Sequence, residues 1–254
     1  MKNADMWADL FAGIGEYSIF IGRSLRGLKA LPRRRLEFLI QFKRIGYDSL
    51  FLIMLTAAFT GLVTALQAVY QSKGYIPLNL LSVLIGKSTM VELAPVLTGL
   101  VLTGKIGAAM AAEIGSMKVS EQIDALHSMS VNPHEFLYMP RILAGVVAFP
   151  LITIFANAIS ILCAWYFSYL RYGLHYHTFF TGMRAYFEPF DLWSGLLKSI
   201  VFGFIITSLA CYFGDRSYGG AEGVGRSTTQ TVVYGSVAIL IMDFIVAWIL
   251  FGSM

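Results

Sequence analysis

No charged side chain occurs from Ser49 to Ser72, a run of 24 residues, or from Ile142 to Leu170, a run of 29. A helix needs about 20 apolar residues to cross the hydrocarbon core of a bilayer. Both runs are therefore predicted to be membrane-spanning helices. Three further apolar stretches, 89–112, 196–214 and 230–252, are long enough to join them. The expected fold class is an all-α integral membrane protein with five spans. Composition agrees: 13% of residues are charged, against about 25% in soluble domains. A soluble chain with 57% hydrophobic residues would expose aggregating patches.

The spans delimit the rest of the chain. Residues 1–48 form an N-terminal unit, and 49–252 one membrane domain. Within 5–30, Trp7, Leu10, Phe11, Ile14, Tyr17, Ile21, Leu25 and Leu28 recur at steps of three or four, while Asp9, Glu16, Arg23 and Arg26 avoid that stripe. This pattern predicts an amphipathic helix lying in the membrane interface, followed by a basic linker with Arg33, Arg34 and Arg35. Asp5, Asp9 and Glu16 interrupt the N-terminus, so it does not read as a signal peptide. With the N-terminus in the cytoplasm, thirteen Lys and Arg fall on that side and five on the other. That bias predicts a cytoplasmic N-terminus and a C-terminus outside. The net charge of +4 is explained the same way, and nucleic-acid binding is not expected. Cys163 and Cys211 lie in apolar runs and read as small buried hydrophobes.

Charges inside the spans cost at least about 2.5–3.5 kcal/mol each at the helix centre. Glu92 and Lys105 lie in the second span, Lys198 opens the fourth, and Asp243 sits two thirds along the fifth. Glu92, Lys198 and Asp243 fall in one half of the membrane and can share a polar cluster. They read either as structural pairs between helices or as the lining of a cavity, to which Gln67 and Tyr70 or Tyr75 would add polar contacts. Spacing alone does not separate these readings. Lys105 can reach the interface or pair with Glu113, two turns on. Gly99, Gly104 and Gly107 let another backbone approach, which places the second span inside the bundle.

Two near-motifs fail. Residues 99–106 almost spell a phosphate-binding loop, but Ile106 stands where a hydroxyl would hold magnesium, and no buried strand precedes it. The glycine-rich 219–228 reads as a tight turn. His127, His134, His175 and His177 are scattered and suggest no metal site. The segment 113–141 is more informative. Ser120 can cap a short helix ended by Asn132-Pro133, with Ile123, Leu126 and Met129 on one face and Glu121, Asp124 and His127 off it. It reads as a docking element for a soluble partner or as an ordinary connection.

Residues 92–144, "ELAPVLTGLVLTGKIGAAMAAEIGSMKVSEQIDALHSMSVNPHEFLYMPRILA", closely resemble the signature region of the MlaE/YrbE permeases, and "FGDRSYGGAEGVGRSTTQTVV" (213–233) resembles their second signature. The resemblance covers about 40–252. It implies a five-span permease subunit of an ABC-type lipid transporter in the bacterial inner membrane, with an N-terminal elbow helix. It implies a homodimer holding phospholipid at its interface, cytoplasmic ATPase subunits that bind ATP and Mg, an MCE-domain protein on the outer face and a STAS-domain accessory protein. This chain would bind no cofactor and catalyse no reaction. Gln67, Tyr75 and Glu92 would line the lipid cavity, with Lys198 and Asp243 nearby. Residues 120–131 would be the coupling helix that docks on the ATPase. One departure is Gly104-Lys105-Ile106-Gly107, where the family usually reads Gly-Arg-x-Gly. Lys keeps the charge there and loses the bidentate fork.

Two other functions fit the bare sequence. Glu92 and Asp243 would be proton sites in a proton-coupled secondary transporter, although the spans show no inverted repeat. A non-transporting membrane scaffold would use the 113–141 segment alone.

Overall fold

The computed structural model describes the backbone of residues 2–28, 34–72 and 78–252. Tyr75 lies outside these residues, as do the side chains of Trp7, Leu10 and Phe11. Ten α-helices follow one another: α1 (Lys2–Arg26), α2 (Arg35–Ser72), α3 (Leu78–Ser88), α4 (Ala94–Leu102), α5 (Ala108–Val119), α6 (Gln122–Ser128), α7 (Met139–Tyr172), α8 (Tyr176–Ala185), α9 (Pro189–Asp215) and α10 (Gly220–Phe251). Five stretches are long and apolar enough to cross a membrane: Arg35–Gln71, Leu80–Val119, His134–Tyr172, Pro189–Asp215 and Gly220–Phe251. The chain is a multi-pass, all-helical membrane protein.

Local chemistry sets the helix ends. Pro189 opens α9 in its first turn, where a missing N–H costs nothing. Glu188 and Asp191 close a reciprocal capping box there. Gly173 ends α7 in the left-handed conformation, φ 66°. Gly219 and Gly220, φ 83° and 75°, turn the chain from α9 into α10.

The second apolar stretch is not one regular helix. A π-helical turn, Thr89–Leu93, joins α3 to α4, and another, Thr103–Gly107, joins α4 to α5. A third, His134–Tyr138, leads into α7. Two of these three are followed two residues later by proline, Pro95 and Pro140. Proline donates no N–H, so a carbonyl four residues earlier loses its partner. The widened turn absorbs that loss.

The core forms where α9 packs against α7, α5 and α10, while α2 packs mainly along α7. Gly145 of α7 and Gly203 of α9 bring these two helices together: a Cβ on Gly203 would meet the Gly145 carbonyl oxygen at 2.6 Å. Close backbone approach of this kind supplies the dispersion contacts that must replace the hydrophobic effect between helices in lipid. Phe51 and Phe59 of α2 and Phe244 and Trp248 of α10 point outward, as side chains facing lipid should. The helix α1 docks on the π turn that leads into α7 and on the end of α9. Its Phe20 is buried against Tyr138 and Tyr212, and Tyr17 Oη lies 2.6 Å from Ser208 Oγ.

Several boundaries differ from the sequence reading: α9 begins at Pro189, ahead of the expected 196, and α10 begins at Gly220, so most of the glycine-rich 219–228 expected as a turn is helical. The helix of the first span starts at Arg35, so much of the expected basic linker is helical. At 38 residues that helix is about 57 Å long at about 1.5 Å per residue, more than the bilayer core requires. The second apolar helix also continues through Val119, into the segment expected to be a connection.

Candidate functional site

Lys198 is the centre of the polar site. It lies on the buried face of α9, between Gly195 and Phe202, and is fully buried. Its Nζ donates to Glu92 Oε2 at 2.5 Å and stands 2.9 Å from Asp243 Oδ1. The contact with Asp243 is out of line for a hydrogen bond, so Oδ1 has none. Three helical segments thus meet at one ammonium, and the cluster carries one cation and two carboxylates. Glu92 remains 41% exposed, Asp243 22%. The site therefore keeps an open, acidic side.

The π turn positions Glu92. Gly195 of α9 lies against it so closely that a Cβ there would strike the carbonyl oxygen of Met90. The widened turn thus presses on α9 three residues before Lys198. Neither feature was anticipated from the sequence, although Pro95 was a usable signal for the turn.

The remaining cavity residues are placed differently. Gln67 and Tyr70 lie on an exposed part of α2, with Tyr70 71% exposed. Gly99 and Gly107 pack as small residues should: added Cβ atoms would meet Phe202 at 3.2 Å and Ile206 at 3.3 Å. Gly104 does not, since a Cβ there would meet nothing within 4 Å. It faces away from the bundle of this chain.

Lys105 and Glu113 do not pair. Lys105 Nζ donates to the backbone carbonyl of Asp48 on α2. Glu113 is held by two arginines, with Arg44 Nη1 on Oε2 and Arg141 Nη2 at 2.7 Å from Oε1. Arg141 is buried and also donates to the Leu137 carbonyl at 3.1 Å. This triad ties α2, α5 and α7 at the end of the bundle that carries α6. Sequence reasoning missed it because Arg44 lies in the N-terminal unit, while Glu113 and Arg141 stand at opposite ends of the 113–141 segment.

The short helix after α5 spans seven residues, Gln122–Ser128. Ser120 does not cap it. Its hydroxyl donates back to the Ser116 carbonyl at 2.7 Å and so ends α5. Glu121 takes the capping position instead, in the left-handed conformation with φ 59°. Ile123 is buried, Leu126 half-buried and Met129 65% exposed, so the expected apolar face is anchored at one residue. Asp124 and His127 are exposed, and Lys118 Nζ reaches Asp124 Oδ1 at 2.9 Å.

Residues 38–249 match the family described as Permease MlaE. The chain is 36% identical over 245 residues to the probable ABC transporter permease protein of Rickettsia bellii, covering 95% of this chain and 93% of that one. It is 32% identical over 247 residues to the intermembrane phospholipid transport system permease protein MlaE of Haemophilus influenzae, covering 96% and 94%. It is 34% identical over 207 residues to the chloroplastic protein TRIGALACTOSYLDIACYLGLYCEROL 1 of Arabidopsis thaliana, covering 82% and 59%. With the match running through every apolar stretch, the chain belongs to the MlaE permease family.

Proposed function

We propose that this chain is the membrane subunit of an ABC-type transporter that moves phospholipid between the inner membrane and an MCE-domain protein. It works as a homodimer, and ATP is hydrolysed with Mg on separate cytoplasmic subunits, accompanied by a STAS-domain accessory protein. The observation that carries this reading is the family match from residue 38 to 249, which takes in nearly all of the five apolar stretches. The geometry is consistent with it. Glu92, Lys198 and Asp243 offer a polar surface within the membrane that a lipid headgroup can approach from the exposed Glu92 side. The exposed Asp124 and His127, on a helix anchored by buried Ile123, suit a coupling helix that docks on the ATPase. Gly104, open on the surface of one chain, is free to meet a second copy. Transport then requires that the lipid site bind more tightly in one conformation than in the other, with ATP-driven closure supplying the difference.

Purification of the tagged full chain in mild detergent tests the whole reading. The expected result is a dimer that brings down an ATPase subunit and phospholipid. ATP hydrolysis by the isolated chain, or lipid transport driven by a pH gradient without the ATPase, would overturn it.

A further inference from the structure

A second amphipathic recess lies at the opposite end of the bundle from Lys198. An apolar groove of about 480 Å³ opens between three helices, walled by Gly13 and Ile14 of α1, Leu209 and Phe213 of α9, and Gln230 and Tyr234 of α10. That volume is typical of a ligand site, about 300–1,000 Å³. Gln230 also lines a smaller polar pocket that contains Arg216 and Arg226. The two spaces therefore meet at one side chain, with an apolar part deeper in the bundle and a cationic part at its end. Leu209 follows Lys198 by 11 residues on α9, or about 16 Å at about 1.5 Å per residue. This recess is thus separate from the polar cluster described above.

Neither guanidinium is locked by its ion pair, although Arg216 also stacks over the Tyr212 ring at 4.5 Å. Arg216 lies 2.5 Å from Glu16, and both side chains are about half exposed. Arg226 lies 3.3 Å from Glu222, which is 84% exposed. Exposed pairs of this kind contribute about 0–1 kcal/mol. An anion with several oxygens can displace either carboxylate, because guanidinium binds phosphate through paired, charge-assisted hydrogen bonds. The other charged group nearby, Asp215, is occupied by the Tyr138 hydroxyl at 2.5 Å. The groove is also kept open by sequence, since a Cβ on Gly13 would meet nothing within 4 Å.

We propose that this recess holds one phospholipid, its phosphate between Arg216 and Arg226 and one acyl chain in the groove beneath α1. The lipid braces α1 against α9 and α10, adding to the protein's own contacts there, of which Tyr17 Oη to Ser208 Oγ is 2.6 Å and Tyr212 Oη to the Gly13 carbonyl is long at 3.5 Å. The proposal needs only α1 and the membrane-spanning bundle, and it stands or falls separately from the transport reading.

Photolabelling of the full chain in maltoside micelles tests it. The probes are a phosphatidylglycerol with a diazirine on one acyl chain and a diacylglycerol with the same chain and no phosphate. The phosphatidylglycerol should label the segments around Leu209–Phe213 and Gln230–Tyr234. Diacylglycerol labelling, and phosphatidylglycerol labelling of the Arg216→Gln, Arg226→Gln double variant, should be lower by at least about tenfold, the loss expected for even one charge-assisted hydrogen bond. Gly13→Phe, which fills the groove, should also abolish labelling. The arginine variant changes only exposed side chains and keeps the test open if Gly13→Phe does not fold. Equal labelling by both probes, or labelling insensitive to the arginines, would overturn the proposal by showing a non-specific lipid shell. Displacement by millimolar inorganic phosphate would overturn it in favour of a free-phosphate site.

Discussion

Lys198 shows what a single buried charge does in this protein. It sits fully buried between Glu92 and Asp243, so its removal leaves two carboxylates facing each other without a cation. Breaking a buried pair by removing one partner costs about 3–5 kcal/mol. Lys198→Met is therefore expected to lower the thermal unfolding midpoint in detergent. Asp243→Asn in the same chain should restore part of the loss, because it removes the repulsion. A Lys198→Met protein as stable as the parent would show that the cluster is not structural. Glu113 presents the complementary case. Glu113→Gln strands Arg141, which is only 4% exposed, and should cost about 3 kcal/mol, the lower end for a broken buried pair. Arg44→Ala should cost no more than about 1 kcal/mol, since Arg44 is half exposed. Chemical denaturation of the three proteins separates these effects.

At the scale of the element, small residues set which helices touch. Gly203 and Gly145 meet backbone to backbone, so Gly203→Leu must push α9 from α7. Overpacking typically costs about 1–3 kcal/mol, and a clash with backbone belongs at the upper end. The same substitution at Gly104 meets open space within the chain. It should leave the unfolding midpoint unchanged and, if Gly104 faces a second copy, weaken the dimer. Size-exclusion chromatography with light scattering, run beside thermal unfolding, reads both outcomes. The two glycines look alike in sequence, and only their neighbours distinguish them. The π turns were partly legible. Pro95 and Pro140 follow two of them at the same distance, and the missing N–H is a physical cause that the spacing could have revealed.

For the whole molecule, the charge bias of thirteen Lys and Arg against five predicts one orientation. Single cysteines placed at Ser128, the last residue of α6, and at Thr181, on α8, should be labelled by a membrane-impermeant maleimide from opposite sides. Ser128 is expected to react only from the cytoplasm, in a background lacking Cys163 and Cys211. Labelling of both from one side would refute the five-span topology, and exchanged sides would refute the orientation.

The sequence alone determined that this chain is helical, that it carries five stretches long and apolar enough to cross a membrane, and that a few charges must be sheltered there. Those properties are local: each depends on about 20 consecutive residues and the cost of leaving polar groups in hydrocarbon. It also supplied the right three candidates for the polar cluster, because each is conspicuous within its own apolar run. Tertiary structure decided who meets whom. Lys198 and Glu92 are 106 residues apart, Arg44 and Glu113 are 69, and Tyr17 and Ser208 are 191. Lys105 found a backbone carbonyl on α2, and Glu113 found two arginines, because helix rotation and register bring these groups within reach. Rotation and register follow from packing over the whole bundle, and no single stretch of sequence contains them.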